Sequence, residues 1–203
     1  QTICSEFTVE ENQVEIAFDL EKGYSDDFSL DLGWFVESES SLTAGEWERG
    51  IPNGTDYQGQ ALNPSMDADG DCGAEAYITG NTANASFYEA DVDGGRTSIT
   101  SPLMDFSSLQ SVVLSFSTWF QNSGGQGSPP NDSLLIKLTN GSETILLDYR
   151  TAQTASANWE SNSLSASTSD FNFTQNMQLI VETMDYDNSG HLVEAGFDEF
   201  LVI

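Results

Sequence analysis

Positive charge is what this chain lacks most. Five lysines and arginines stand against 33 aspartates and glutamates in 203 residues, a formal net charge of −28. Nucleic acid and anionic membranes are polyanions, so such a surface repels both. It suits cation binding, high salt or plain solubility. Histidine occurs once, in Ser189-Gly190-His191. No nucleophile elbow surrounds it, and it reads as a surface-loop residue rather than a triad member. One histidine and two cysteines argue against a zinc site. No apolar run approaches membrane-spanning length and no signal peptide is visible, so the chain reads as a mature or excised segment. Helical periodicity is nearly missing. No phosphate loop, Rossmann fingerprint or basic patch occurs.

The cysteines, Cys4 and Cys72, are far apart in sequence. In a chain of extracellular character, a lone pair suggests one disulfide tying the N-terminal end to the Asp67–Asp71 loop. Two buried free thiols are the competing reading.

What is present is material for a core. The hydrophobic fraction is 38%, with 12 Phe, 6 Tyr and 4 Trp, enough for folding rather than disorder. The length suits one domain over 1–203, with residues 1–30 also readable as a lead-in from a preceding domain. Period-two alternation dominates. It marks strands at Gln13–Leu20, Gly33–Glu37, Ala76–Thr79, Thr97–Thr100, Ser111–Phe120, Trp159–Leu164, Met177–Met184 and Ala195–Ile203. Ser133–Thr139 and Glu143–Tyr149 read as a hairpin across Asn140-Gly141-Ser142. Tyr24–Asp31 reads as an acidic connector, and 53–80 as a long loop of the kind that is functional or held by a ligand. Short strands, long loops and no helices predict an all-β, antiparallel two-sheet β-sandwich, with the jelly roll as its expected form.

The stretch Ala90–Asp105 reads as the one around which the rest of the chain is organised. Asp91 and Asp93 alternate just before Gly94-Gly95. Alternate acids closed by glycines can turn several oxygens toward one hard cation such as Ca²⁺. The same glycines serve a tight turn that needs positive φ. Asp67, Asp69 and Asp71 repeat the alternation. An EF-hand reading of them fails, because Cys72 falls where the loop needs glycine and Ile78 where it needs the bidentate Glu. A non-EF calcium loop and a solvated acidic turn both remain open. Asn131-Asp132 and Glu194…Asp198 stand beside loops, where a jelly roll gathers its rims. They are further candidate metal ligands, or surface acids. The expected cofactor is Ca²⁺, with Asp91, Asp93 and Asp198 its foremost ligands.

Trp34, Trp47, Trp119 and Trp159 are candidate sugar platforms, though core packing is the commoner use of tryptophan. Trp119 opposes the apolar face of its strand and is the foremost of them. Trp47 stands beside Arg49, where a cation–π contact or a ligand contact is expected.

From residue 33 to the end, the chain resembles secreted bacterial jelly-roll modules similar to MAM and galactose-binding sandwiches, which are attached to extracellular peptidases and polysaccharide-degrading enzymes. The segments that carry the resemblance begin with Gly33-Trp34, Trp47-Glu48-Arg49-Gly50-Ile51-Pro52 and Asp67-Ala68-Asp69-Gly70-Asp71-Cys72. Tyr77-Ile78-Thr79-Gly80-Asn81, Asp91-Val92-Asp93-Gly94-Gly95 and Ser101-Pro102 continue it. Ser117-Thr118-Trp119-Phe120, Asn131-Asp132 and Val193-Glu194-Ala195-Gly196-Phe197-Asp198 complete it. The resemblance implies a sandwich with structural calcium and a non-catalytic role. The expected partners are an extracellular polysaccharide or glycan and the domains of a parent enzyme. A stand-alone carboxylate-dependent glycan hydrolase or lyase, or a protein-binding adhesion module, is the alternative.

Overall fold

The computed structural model describes residues 23–57, 60–68, 72–83, 88–89, 91–124, 129–186 and 190–203. Its strands are β1 (Tyr24–Asp26), β2 (Phe35–Ser38), β3 (Trp47–Gly50), β4 (Asp56–Tyr57), β5 (Gln60–Ala61), β6 (Ala76–Thr79) and β7 (Gly95–Thr100). They continue with β8 (Ser111–Gly124), β9 (Ser133–Thr139), β10 (Thr144–Thr151), β11 (Ser156–Ser167), β12 (Gln178–Asp185) and β13 (His191–Val202). The sole helical piece among the described residues is a single 3₁₀ turn, Ala152–Thr154.

Two antiparallel sheets form a β-sandwich. One runs β11-β8-β13-β6-β3, with β1 also on β13, and the other runs β10-β9-β12-β7-β2. The inward positions follow from the alternation. Leu134, Ile136 and Leu138 of β9 face Val112, Leu114, Phe116 and Phe120 of β8 within one buried cluster, joined by Leu179, Val181, Val193 and Phe197. Each such side chain contributes about 1.5–3 kcal/mol on burial.

β13 changes its pattern midway. Val193, Ala195 and Phe197 are buried at odd positions, then Phe200 and Val202 at even ones. A register shift against β8 between Asp198 and Leu201 makes the switch, and Glu199 within it has φ 52°. The shift keeps Phe200 in an aromatic knot with Trp34, 5.4 Å away edge-on. Phe28 packs against Trp34 and Tyr77 in the same knot at 5.3 and 5.2 Å. Buried Asp26 pins it, accepting from Phe28 N and Trp34 Nε1, both at 2.9 Å.

Two expectations are corrected. The connector over Tyr24–Asp31 begins as a strand, because Tyr24–Asp26 completes the edge beside Phe200–Val202. The strands β8 and β13 run longer than the apolar alternation, since polar Gln121–Gly124 pairs with His191–Glu194. The expected strand at Gln13–Leu20 lies outside the described residues. The Asn140-Gly141-Ser142 hairpin is present, with Asn140 Oδ1 accepting from Ser142 N and Glu143 N.

Candidate functional site

Glu194, Gly196 and Asp198 alternate with inward residues of β13, so they face away from the sandwich core. They are nonetheless buried, because Thr55, Asn63 and Ala68 meet the two carboxylates and Trp119 lies over the glycine. Asn63 Nδ2 donates to Glu194 Oε2 at 2.5 Å and Thr55 Oγ1 to the same oxygen at 3.4 Å. Ala68 N donates to Asp198 Oδ2 at 3.0 Å. Trp119 lies over Gly196, where a side-chain Cβ would meet the indole Cδ1 at 2.7 Å. Its ring packs with Ala76 and Ile78, and Trp159 stands edge-on at 6.3 Å. Trp159 Nε1 in turn donates to Met66 O at 2.8 Å. Carboxylates from the sheet thus hold the long loop by hydrogen bonds to it.

The edge of this cover is a groove of about 480 Å³. Asn63, Met66, Ser117, Asn158, Trp159 and Glu199 are among its lining residues. Trp159 is half-buried. Glu199, in its left-handed backbone conformation, accepts a 2.5 Å hydrogen bond from Ser117 Oγ. Strain of this sort costs about 1–3 kcal/mol at a non-glycine residue and collects at binding and catalytic sites.

A second concentration of chemistry sits at one end of the sandwich. Asp91 is held there by the bond from Val92 N to Val193 O, 2.8 Å. Burial pushes its pKa up to about 7, and the charges of Asp93, Glu194 and Asp185 add to the shift. Burial also pushes Glu194 up to about 7, against the bonds from Asn63 and Thr55. Asp91 Oδ1 and Glu194 Oε1 are enclosed without a hydrogen-bond partner. Asp132 Oδ2 lies 2.7 Å from Nδ1 of His191, which is fully buried. One ligand atom each from Asp132, Asp185 and His191 lie within 4.8 Å of one another.

The nine expected metal ligands therefore do not share one place. Asp91, Asp93 and Glu194 interact at the sandwich end. Asp198 is four residues from Glu194 on an extended strand, about 13 Å, and serves the loop instead. Asp132 is in the His191 cluster, Asn131 is exposed, and Asp67 lines the groove. Asp69 and Asp71 lie outside the described residues, as does Cys4 of the expected disulfide with Cys72. Gly94, at φ 77°, does adopt the turn conformation weighed for it.

The aromatic expectations need correction. Trp119 and Trp47 are 1% and 2% exposed, so neither indole has a face to offer a sugar. Trp119 does point away from the core, but it packs with Ala76, Ile78 and Trp159, and Trp159 is itself bonded to Met66 O. Arg49 turns to Phe28 O, at 2.8 Å, and to Glu75, at 3.3 Å. Trp159 is half-buried and lines the groove of about 480 Å³, while Trp34, buried in the aromatic knot, borders a smaller cavity with Tyr24, Leu32 and Pro102. His191 is not a surface-loop residue, because β13 starts there and its parity with Val193 aims it inward. Asp185 went unnoticed. Extending the Leu179, Val181, Thr183 alternation by one step would have placed it inside.

The chain matches no family model and no curated relative. Among solved structures it is similar to the K1 cleaved adhesin domain of Lys-gingipain from Porphyromonas gingivalis W83. That match has TM-score 0.52 and 12% identity, covering 90% of this chain and 98% of that one. The fold is a jelly-roll β-sandwich. TmCBM61, solved with β-1,4-galactotriose, is similar at TM-score 0.46 and 12% identity, covering 86% and 90%. A cyclase from Fischerella sp. TAU, solved with 4-(1H-indol-3-yl)butan-2-one, is similar at TM-score 0.48 and 10% identity, covering 89% and 87%. At such identities the likeness concerns the fold alone.

Proposed function

We propose that this protein is a secreted, non-catalytic accessory module that binds neutral glycan in the groove over the six-stranded sheet. The observation that carries this reading is that Trp159 and Glu199 line one groove together with Ser117 and Asn158. An indole offers a flat apolar face to the C–H side of a pyranose, while a carboxylate, hydroxyl and amide bind sugar hydroxyls. A few placed polar groups beside an aromatic wall are the usual make-up of a small-ligand site. Charge selects among glycans. Arg49, Arg96, Lys137 and Arg150 are each paired with a carboxylate, and a chain at −28 repels uronate or sulfate polymers.

A glycan array with the whole chain tests the proposal. Neutral oligosaccharides are retained, and Trp159→Ala or Glu199→Gln weakens retention at least about 10-fold, which is about 1.4 kcal/mol. An array without hits would overturn it. Asp67 also lines the groove, so release of reducing ends from a retained glycan would turn the reading toward hydrolysis.

Calcium belongs to the same proposal. The unpartnered buried oxygens of Asp91 and Glu194, with Asp93 beside them, form an oxygen-only donor set that fits a hard cation. Bound there, the ion would supply the charge that relieves their mutual repulsion.

A further inference from the structure

The sole histidine of the chain is closed inside the sandwich with two aspartates, and nothing in the glycan or calcium readings uses it. His191 begins β13 opposite Gly124 of β8, and Asp185 ends β12 opposite Gly95 of β7. The two residues thus stand on facing sheets at the same end of the core. Asp132 reaches them from the segment before β9. All three are buried, His191 and Asp185 completely.

We propose that Asp132, Asp185 and His191 bind a divalent first-row transition cation such as Zn²⁺. Three observations support the assignment. Ligand atoms from the three residues lie within 4.8 Å of one another, a spacing that small side-chain shifts can close around an ion with bonds near 2.0–2.2 Å. His191 Nε2 is enclosed without a hydrogen-bond partner, although a buried imidazole nitrogen left unbonded is costly. Asn122 Oδ1 is likewise enclosed and unpartnered, and its Nδ2 donates to Asp132 O at 2.7 Å, which brings that amide beside the cluster.

Charge balance points the same way. A protonated imidazole neutralises one of two carboxylates, whereas a divalent cation with a neutral imidazole neutralises both. The nitrogen donor decides the class of ion. Ca²⁺ takes oxygen ligands, while imidazole with carboxylates suits Zn²⁺ and its neighbours. Counting only histidines and cysteines argued against zinc, because that count leaves out aspartates that the fold delivers to the one imidazole.

Because the chain has a single histidine, its imidazole signals report on this cluster alone. The test is ¹H–¹⁵N spectroscopy of the His191 ring in the whole, chelator-treated chain, titrated separately with Zn²⁺ and Ca²⁺. One equivalent of Zn²⁺ should shift a ring nitrogen to the metal-bound range. Excess Zn²⁺ at about 100-fold over Kd should raise the melting temperature by about 5–10 °C. Asp185→Asn should weaken Zn²⁺ binding at least about 10-fold, and Asp132→Asn serves if that variant does not fold. Ring signals unmoved by Zn²⁺ on folded, metal-free protein would overturn the proposal. An equal shift with Ca²⁺ would also overturn it, by showing a hard-cation effect rather than nitrogen ligation. Glycan retention is a separate measurement and stands or falls independently.

Discussion

Replacing Gly196 by alanine adds one methyl group, and its cost follows from what lies above it. The new Cβ would stand 2.7 Å from Cδ1 and Cε2 of the Trp119 indole, and closer still to Nε1. Carbon atoms at rest are about 3.5–4.0 Å apart, so the ring must retreat by about 1 Å. It has little room to do so, being 1% exposed among Ala76, Ile78 and Trp159. Its Nε1 has no hydrogen-bond partner, so shape alone seats it. Overpacking of this kind costs about 1–3 kcal/mol. Against that, Gly→Ala removes unfolded-chain freedom and returns about 0.4–1 kcal/mol. The clash wins, leaving about 1.3 kcal/mol of net loss. At about 2–4 °C per kcal/mol for this chain length, melting falls by about 3–5 °C. Far-UV circular dichroism follows the melt, and tryptophan emission reports whether the buried indole has moved toward solvent. Trp119→Phe in the G196A background frees space, so the two substitutions should couple by about 1 kcal/mol or more. A G196A protein that melts at or above the parent temperature with unchanged emission would refute this account of the covered face.

Asp26→Ala leaves Trp34 Nε1 and Phe28 N without their acceptor and should cost about 2–4 kcal/mol by denaturant titration. Burial holds the Asp26 pKa above its ordinary 3.8, so its contribution to stability falls as pH rises from about 4 through the raised native value. The gap between parent and D26A should therefore narrow from pH 4 upward, and a widening gap would refute the sign. Cys4 and Cys72 are proposed to be disulfide-bonded, so mass spectrometry after alkylation without reductant should find no modified thiol. Chelation should lower the melting temperature by about 5–10 °C, reversed by Ca²⁺ and not by Na⁺ at equal ionic strength. Sodium restoring the melt would mean screening of a diffuse acidic surface instead of a site.

Local pattern was enough for the sandwich. β9 occupies the very span read from the sequence and is buried at alternate positions, since side-chain parity along an extended chain is a property of the strand itself. The same parity correctly turned Trp119 away from the apolar face of β8. It could not say what lies over that outer face. Thr55, Asn63, Met66, Ala68 and Trp159 meet it, and those contacts join segments far apart in sequence. A platform in the sequence thus became a second small core. Asp198 and Glu194 were noticed as acids near a rim, yet their separation along one strand keeps them from a common ion. His191 was misplaced because polar residues at the start of β13 interrupt the hydrophobic signal while the hydrogen-bond ladder continues. Which face a residue takes is decided over two residues of chain. Which partner meets it there is decided by how loops and sheets close on one another, and only the tertiary structure contains that.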